Sequence, residues 1–251
     1  MMAAFLSYEE IQYRCEQLNE KYEINEEKFY QVIEKWADEH SSIEAKLLGS
    51  FQELLQVVSE EIVQMEETIA MRPSCQVGCA FCCYFPIIIT EMEAKLMKAA
   101  IDEMPMERRD KINAHLRNYF ETYKDDLKEL TALDHEEDPD FKRKYISRQI
   151  PCPMLNTETN QCIAYEIRPI PCRTYVNYAD PSVCAKEHMP KEPISYEFLY
   201  NEYMGALNEF LQFLYEEGDT GFIEYPNDVY VYNYLPEWLQ QLGSRPSREK
   251  Q

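Results

Sequence analysis

Cys75-Gln76-Val77-Gly78-Cys79-Ala80-Phe81-Cys82-Cys83 places four cysteines in nine residues, and Cys152, Cys162 and Cys172 follow some seventy residues later at ten-residue intervals. A thiolate is a soft, anionic ligand. Seven sulfurs gathered into two turn-rich, proline-bearing stretches point to a bound metal rather than to separate packing roles. Cys15, alone on a helical face, reads instead as a small buried hydrophobe. Cys184 stands as a possible extra ligand. In a reducing cytosol, clustered cysteines are metal ligands or redox thiols before they are a disulfide framework.

The spacing narrows the chemistry. Two or three residues between cysteines let a tight turn aim both sulfurs at one centre, with backbone N–H groups turned toward them. Cys75, Cys79 and Cys82 can therefore share one ion or cluster. Cys83 points away from Cys82 in most backbone conformations, which leaves it to a second ion or to none. Cys152, Cys162 and Cys172 can supply the remaining ligands while closing long loops, where a cross-link constrains the unfolded chain most. Four thiolates on one divalent cation leave a charge of about −2, which a dry site cannot hold uncompensated. Arg168 and Arg173 bracket Cys172 and are the candidate compensators through N–H···S hydrogen bonds.

Outward from the cluster, helical periodicity dominates. Helices are expected from about Tyr8 to Leu18 and from Glu26 to Ala37. A longer stripe follows: Ile43, Leu47, Leu48, Phe51, Leu54, Leu55, Val58, Ile62, Met65 and Ile69, ended by Arg72-Pro73-Ser74. Thr90-Glu91-Met92-Glu93 has the form of a capping box and should start a helix reaching about Glu103. Pro105 starts another, running to about Leu130, and Phe141–Ser147 is a short helix after an acidic loop at Asp134–Asp138. Residues 150–193 are proline-rich and lack long apolar periodicity, so they depend on cross-links for their shape. Tyr196–Tyr215 is again amphipathic, and the aromatic tail carries a short extended piece at Val229–Tyr232. The expected fold is mainly α: an irregular, cysteine-rich, metal-stapled core segment flanked by amphipathic helices. Its parts are an N-terminal helical region (1–71), a cysteine-cluster domain (72–190) and a C-terminal helix with its tail (191–251).

Composition closes off other classes. The formal net charge of −21 and the lack of any basic run longer than Lys142-Arg143-Lys144 speak against nucleic acid and anionic membranes. Six glycines and no GxGxxG or GxxxxGK[ST] argue against a phosphate-cradling loop. The opening MMAAFLSYEE lacks a cationic region, and no apolar run approaches the roughly 18 residues of a membrane span. The expectation is a cytoplasmic protein with no membrane or nucleic-acid partner. Its last residues, Ser244–Gln251, are expected to be disordered.

At Cys75-x3-Cys79-x2-Cys82-Cys83, Cys152-Pro-Met-Leu and Cys162-Ile-Ala-Tyr-Glu-Ile-Arg-Pro-Ile-Pro-Cys172-Arg173 the chain resembles the YkgJ-type cysteine-cluster family, described as a zinc- or iron-chelating domain with a CxxCxxCC motif. The likeness covers about 72–176 and departs from the pattern in its longer first gap and in Ala164 before Tyr165. It implies a metal-chelating module. The expected cofactor is zinc, because paired sites would use the full number of cysteines; iron or an iron–sulfur cluster is the alternative. The role is structural, or one of sensing or storage. Two catalytic readings stand beside it. Cys75-x3-Cys79-x2-Cys82 has the ligand spacing of radical S-adenosylmethionine enzymes, though those place it after the first strand of a βα barrel. Lysine N-methylases also resemble the family. Hydrolytic zinc catalysis is disfavoured, since the four histidines form no HExxH and only His188 lies near a clustered cysteine.

Overall fold

The computed structural model describes residues 5–218 and 222–244. In chain order the elements are α1 (Tyr8–Lys21), α2 (Glu27–Asp38), α3 (Ile43–Thr68), β1 (Ile88–Thr90), α4 (Glu91–Asp102), α5 (Met106–Thr122), α6 (Lys124–Leu130) and α7 (Phe141–Ser147). There follow β2 (Leu155–Asn156), β3 (Gln161–Cys162), α8 (Ile170–Thr174), β4 (Tyr175–Val176), α9 (Ser182–Lys186), β5 (Ile194–Ser195), α10 (Leu199–Glu217), α11 (Asn227–Tyr230), β6 (Tyr232–Tyr234) and α12 (Leu235–Ser244). The fold is mainly α, as the periodicity predicts. Among the described residues the sheets are two-stranded and antiparallel, pairing β1 with β6, β2 with β3 and β4 with β5. That is not the parallel sheet of a βα barrel. No helix among the described residues is long and apolar enough to cross a membrane.

Local chemistry sets the helix ends. Ser7 and Glu10 form a capping box at α1, and Thr90 and Glu93 form the expected one at α4. Each satisfies two N–H groups that the first helical turn leaves without partners. The expected helix from Pro105 to Leu130 is two helices. Tyr123 (φ −105, ψ 18) leaves the helical region and separates α5 from α6. The extended piece expected at Val229–Tyr232 lies further on: Val229 belongs to α11, and the strand is Tyr232–Tyr234. The tail expected to be disordered lies, beyond Ser244, outside the described residues.

The chain divides into two units, each made of two sequence segments. The first comprises Met1–Cys82 and Arg168–Phe222, the second Cys83–Ile167 and Ile223–Gln251. The first is built round α3, whose stripe is buried from Leu47 to Ile69 except for half-buried Leu48. Phe29, Val32 and Ile33 of α2 and Leu207, Phe210, Leu211 and Leu214 of α10 complete its core. Glu61, fully buried on α3, accepts from the Tyr22 hydroxyl (2.6 Å) and the Lys28 ammonium (2.5 Å), so its charge is paired as burial requires. In the second unit α4 buries Met92, Leu96 and Ala100, and α12 buries Leu235, Trp238 and Leu239. Trp238 Nε1 donates to the Ile89 carbonyl at 3.0 Å, so α12 is fastened to β1. A second cluster gathers Tyr119, Leu127, Leu130, Tyr145, Ile150 and Tyr234, with the Tyr145 and Tyr234 rings stacked 5.4 Å apart.

One glycine is required by close approach. A Cβ at Gly49 of α3 would stand inside the Trp36 ring of α2. Glycine to alanine in a helix ordinarily stabilises by about 1 kcal/mol. Here the overlap with a rigid ring is the larger effect, at about 1–3 kcal/mol. Gly49→Ala is therefore expected to lower the urea midpoint at unchanged m-value.

Candidate metal centre

The first cysteine loop is fixed at both ends. After α3 the chain turns through Ala70 (φ +53), and the Arg14 guanidinium donates to the Ile69 and Ala70 carbonyls at 3.3 and 2.5 Å. Ser74 then gives both its N–H (2.8 Å) and its hydroxyl (3.0 Å) to the Asn177 carbonyl. The next residue, Tyr178, donates its buried hydroxyl to Glu66 Oε1 at 2.6 Å and meets the Tyr196 hydroxyl at 2.8 Å. Through these contacts α3 holds the strand end that holds Ser74.

From Ser74 the chain enters a tight turn in which Cys79 N–H donates to the Gln76 carbonyl at 2.8 Å. Gly78 sits there at φ +91, a conformation that favours glycine. The turn directs donors at one sulfur. Cys79 Sγ accepts from the Cys75 thiol and from the amides of Phe81 and Gln76, and its thiol is lowered to about 6. The donating thiol of Cys75 is raised, first by that hydrogen bond and then by burial. Cys75 also accepts from the Asn177 amide. Cys184, on α9, is pushed up to about 11 by burial and then by the charges of Cys79, Cys82 and Glu192. The Tyr175 hydroxyl is raised by burial and then by Cys184, Cys82 and Cys75.

In the second unit a different scaffold carries the sulfurs. Cys152 N–H donates to the Cys83 carbonyl at 2.6 Å, which ties those two residues together. The β2–β3 hairpin sets Cys162 opposite Leu155, and its turn is closed by Asn156 Oδ1, which accepts from Glu158 N–H (2.9 Å) and Thr159 N–H (3.2 Å). Helix α5 clamps this segment. The Tyr119 hydroxyl donates to the Pro151 carbonyl (2.7 Å) and His115 Nε2 donates to the Pro153 carbonyl (3.0 Å), so both residues flanking Cys152 are held. Arg108 donates to the Ile163 carbonyl (3.2 Å) and to Glu166 (2.9 Å). Its guanidinium is raised chiefly by Glu166, against the opposing effect of burial, with Cys162 adding a smaller upward effect. A cation therefore stands beside that sulfur. The expected compensators are Arg168 and Arg173, which flank Cys172; Arg108 is a further cation that sequence reading does not single out. Its signal is the spacing Arg108, Ile112, His115, Tyr119, which repeats along one face of α5.

Cys172 lies on α8 in the first unit, its N–H on the Pro169 carbonyl at 3.0 Å. Arg173 donates through Nε to the Arg168 carbonyl and through its guanidinium to Ser59 Oγ of α3, both at 2.8 Å. Arg168 is half-buried and His188 exposed. The first unit thus holds Cys75, Cys79, Cys82, Cys172 and Cys184, and the second holds Cys83, Cys152 and Cys162. All nine cysteines are thiols rather than disulfides. Among the described residues, no three His, Cys, Asp or Glu side chains are already gathered closely enough to hold an ion.

Residues 74–193 match the model of the CxxCxxCC family, whose description reads "Putative zinc- or iron-chelating domain". This segment is similar to that domain. No curated protein and no solved structure matches the chain significantly. The match spans every cysteine except Cys15, which is half-buried on α1 with its thiol raised by burial. The donor set suits the description. Thiols in tight turns, one of them already accepting from backbone amides, are ligands for zinc or iron.

The turn at Gly78 can be tested without touching a sulfur. Nothing lies within 4 Å of a Cβ placed on Gly78, so Gly78→Ala adds only backbone strain, on the order of 1–2 kcal/mol at this φ. The variant is expected to fold and to bind metal about tenfold more weakly in a chelator competition.

Proposed function

We propose that the chain is a metal-chelating protein that holds zinc, or iron, through its clustered thiolates, in a structural, sensing or storage role. The observation that carries the reading is the setting of Cys79 Sγ, at which a thiol and two backbone amides converge. Amides turned toward sulfur stabilise a thiolate, and a thiolate is what binds the ion. The ligands in this reading are Cys75, Cys79, Cys82 and Cys172 for one ion and Cys83, Cys152 and Cys162 for another. Arg168 and Arg173 offset charge in the first set and Arg108 does so in the second. A bound cation would bring together anionic sulfurs that otherwise repel one another. Zinc takes precedence over an iron–sulfur cluster because a cluster needs only four cysteines, and the domain carries twice that.

Elemental analysis of anaerobically purified protein decides the metal. Near-stoichiometric zinc in a colourless protein is the expected result. A brown protein with visible charge-transfer absorption assigns iron–sulfur instead, and thiols that titrate freely with neither metal present refute chelation.

Removing the metal should also unfold the segment. Zinc binding to small domains is worth about 10–16 kcal/mol, as much as the whole stability of a typical domain, about 5–15 kcal/mol. Cys79→Ser and Cys172→Ser are therefore expected to lose metal and to expose residues 74–193 to limited proteolysis. Acidification should release the ion, because protons compete for thiolates.

A further inference from the structure

Cys75, Gln76, Val77 and Gly78 are exposed in succession, so the first cysteine turn takes its placement from the buried residue before it, Ser74. What holds Ser74 lies 103 positions further on. Asn177 is buried, and its side chain closes a ring with Ala179, donating from Nδ2 to that carbonyl (3.3 Å) and accepting at Oδ1 from that N–H (3.1 Å). The ring sets the direction of the Asn177 carbonyl, on which both donors of Ser74 converge. Tyr178, the next residue, reaches inward. Its carbonyl accepts from Leu6 N–H at 3.3 Å, and its buried hydroxyl donates to Glu66 Oε1 of α3 at 2.6 Å. Glu66 is the unusual partner. A carboxylate nine-tenths buried is ordinarily paired with a cation, as Glu61 on the same helix is with Lys28. Among the described residues no cation pairs with Glu66; burial pushes its carboxyl up, and the Tyr178 hydrogen bond opposes that. Well-packed apolar side chains would stabilise such a site as well or better. What the polar pair adds is direction, which an apolar contact lacks.

We propose that Glu66 and Tyr178 are positioning residues for the chelating turn: their hydrogen bond fixes the Asn177 carbonyl and, through Ser74, the point from which the Cys75–Cys79 turn starts, and so sets the turn's affinity for metal. The metal consequence rests on the chelating reading above. The placement of the turn does not, and it can be measured with no metal present.

Amide hydrogen exchange on the metal-free, full-length chain reads the turn itself, and chelator competition for zinc reads the consequence. Tyr178→Phe is compared with Tyr22→Phe, which removes a tyrosine–glutamate bond of the same 2.6 Å length from the same helix. In Tyr178→Phe the Ser74 and Cys79 amides are expected to exchange about tenfold faster, the effect of one lost hydrogen bond, and zinc to bind about tenfold more weakly. Tyr22→Phe should leave both at wild-type values. Because Tyr178→Phe orphans a buried carboxylate, the double variant Glu66→Leu/Tyr178→Phe is measured beside it. Replacing both partners by apolar groups keeps the core satisfied while deleting the anchor, and the same loosening of the turn is expected. Wild-type exchange at Ser74 and Cys79 in the double variant overturns the proposal and leaves chelation standing. So does equal acceleration in Tyr22→Phe, or faster exchange with wild-type zinc affinity. A wild-type chain that binds neither zinc nor iron refutes chelation, and the exchange data still decide whether Tyr178 and Glu66 place the turn.

Discussion

The carbonyl of Asn177 accepts two hydrogen bonds from Ser74, a residue 103 positions away, and the placement of the first cysteines follows from that contact. Ser74 is buried, so both of its donors need partners inside the protein. One oxygen serves both, and with its two lone pairs it can. Because Tyr178 is fastened to Glu66 on α3, the Asn177 carbonyl is fixed by the helical core and not by the loop itself. Losing the Tyr178 anchor would loosen Asn177, then Ser74, then the turn that aims donors at Cys79. The long amphipathic helix is thus the foundation of a loop with almost no core of its own.

Electrostatics explains why such a loop calls for a cation. The chain carries a net charge of −21, and its cysteines other than Cys75 are half-buried. Two thiolates close together in that medium repel strongly, and the Cys75 thiol, raised, faces the Cys79 thiol, which is lowered by accepting from it. A divalent ion would relieve such repulsion, since it neutralises two thiolates at once.

Much of this was legible in the sequence, and the parts that were not share a cause. The stripe from Ile43 to Ile69, the capping box at Thr90 and the short helix at Phe141 are local features, and local features are read from spacing. The break at Tyr123 was hidden because no proline or glycine marks it. The strand at Tyr232–Tyr234 depends on β1, more than 140 residues earlier, and pairing partners are not written into a single strand. The cysteines were visible as donors, but not which scaffold holds which of them. His115 and Tyr119 fix the carbonyls on either side of Cys152 from a helix some thirty residues upstream, a relation that periodicity shows only as a polar face on α5.

On the proposed reading, the pair Cys82-Cys83 accounts for more sulfurs than one shell needs. Successive side chains point apart in most backbone conformations, so two adjacent cysteines rarely serve one ion. The division of the chain falls between them: Cys82 goes with Cys75 and Cys79, and Cys83 with Cys152, whose N–H it accepts. Each unit then carries its own cation-bearing support, Arg173 on Ser59 of α3 in one and Arg108 beside Cys162 in the other. On that reading, a doubled cysteine is an economical way for one short turn to start two sets of ligands.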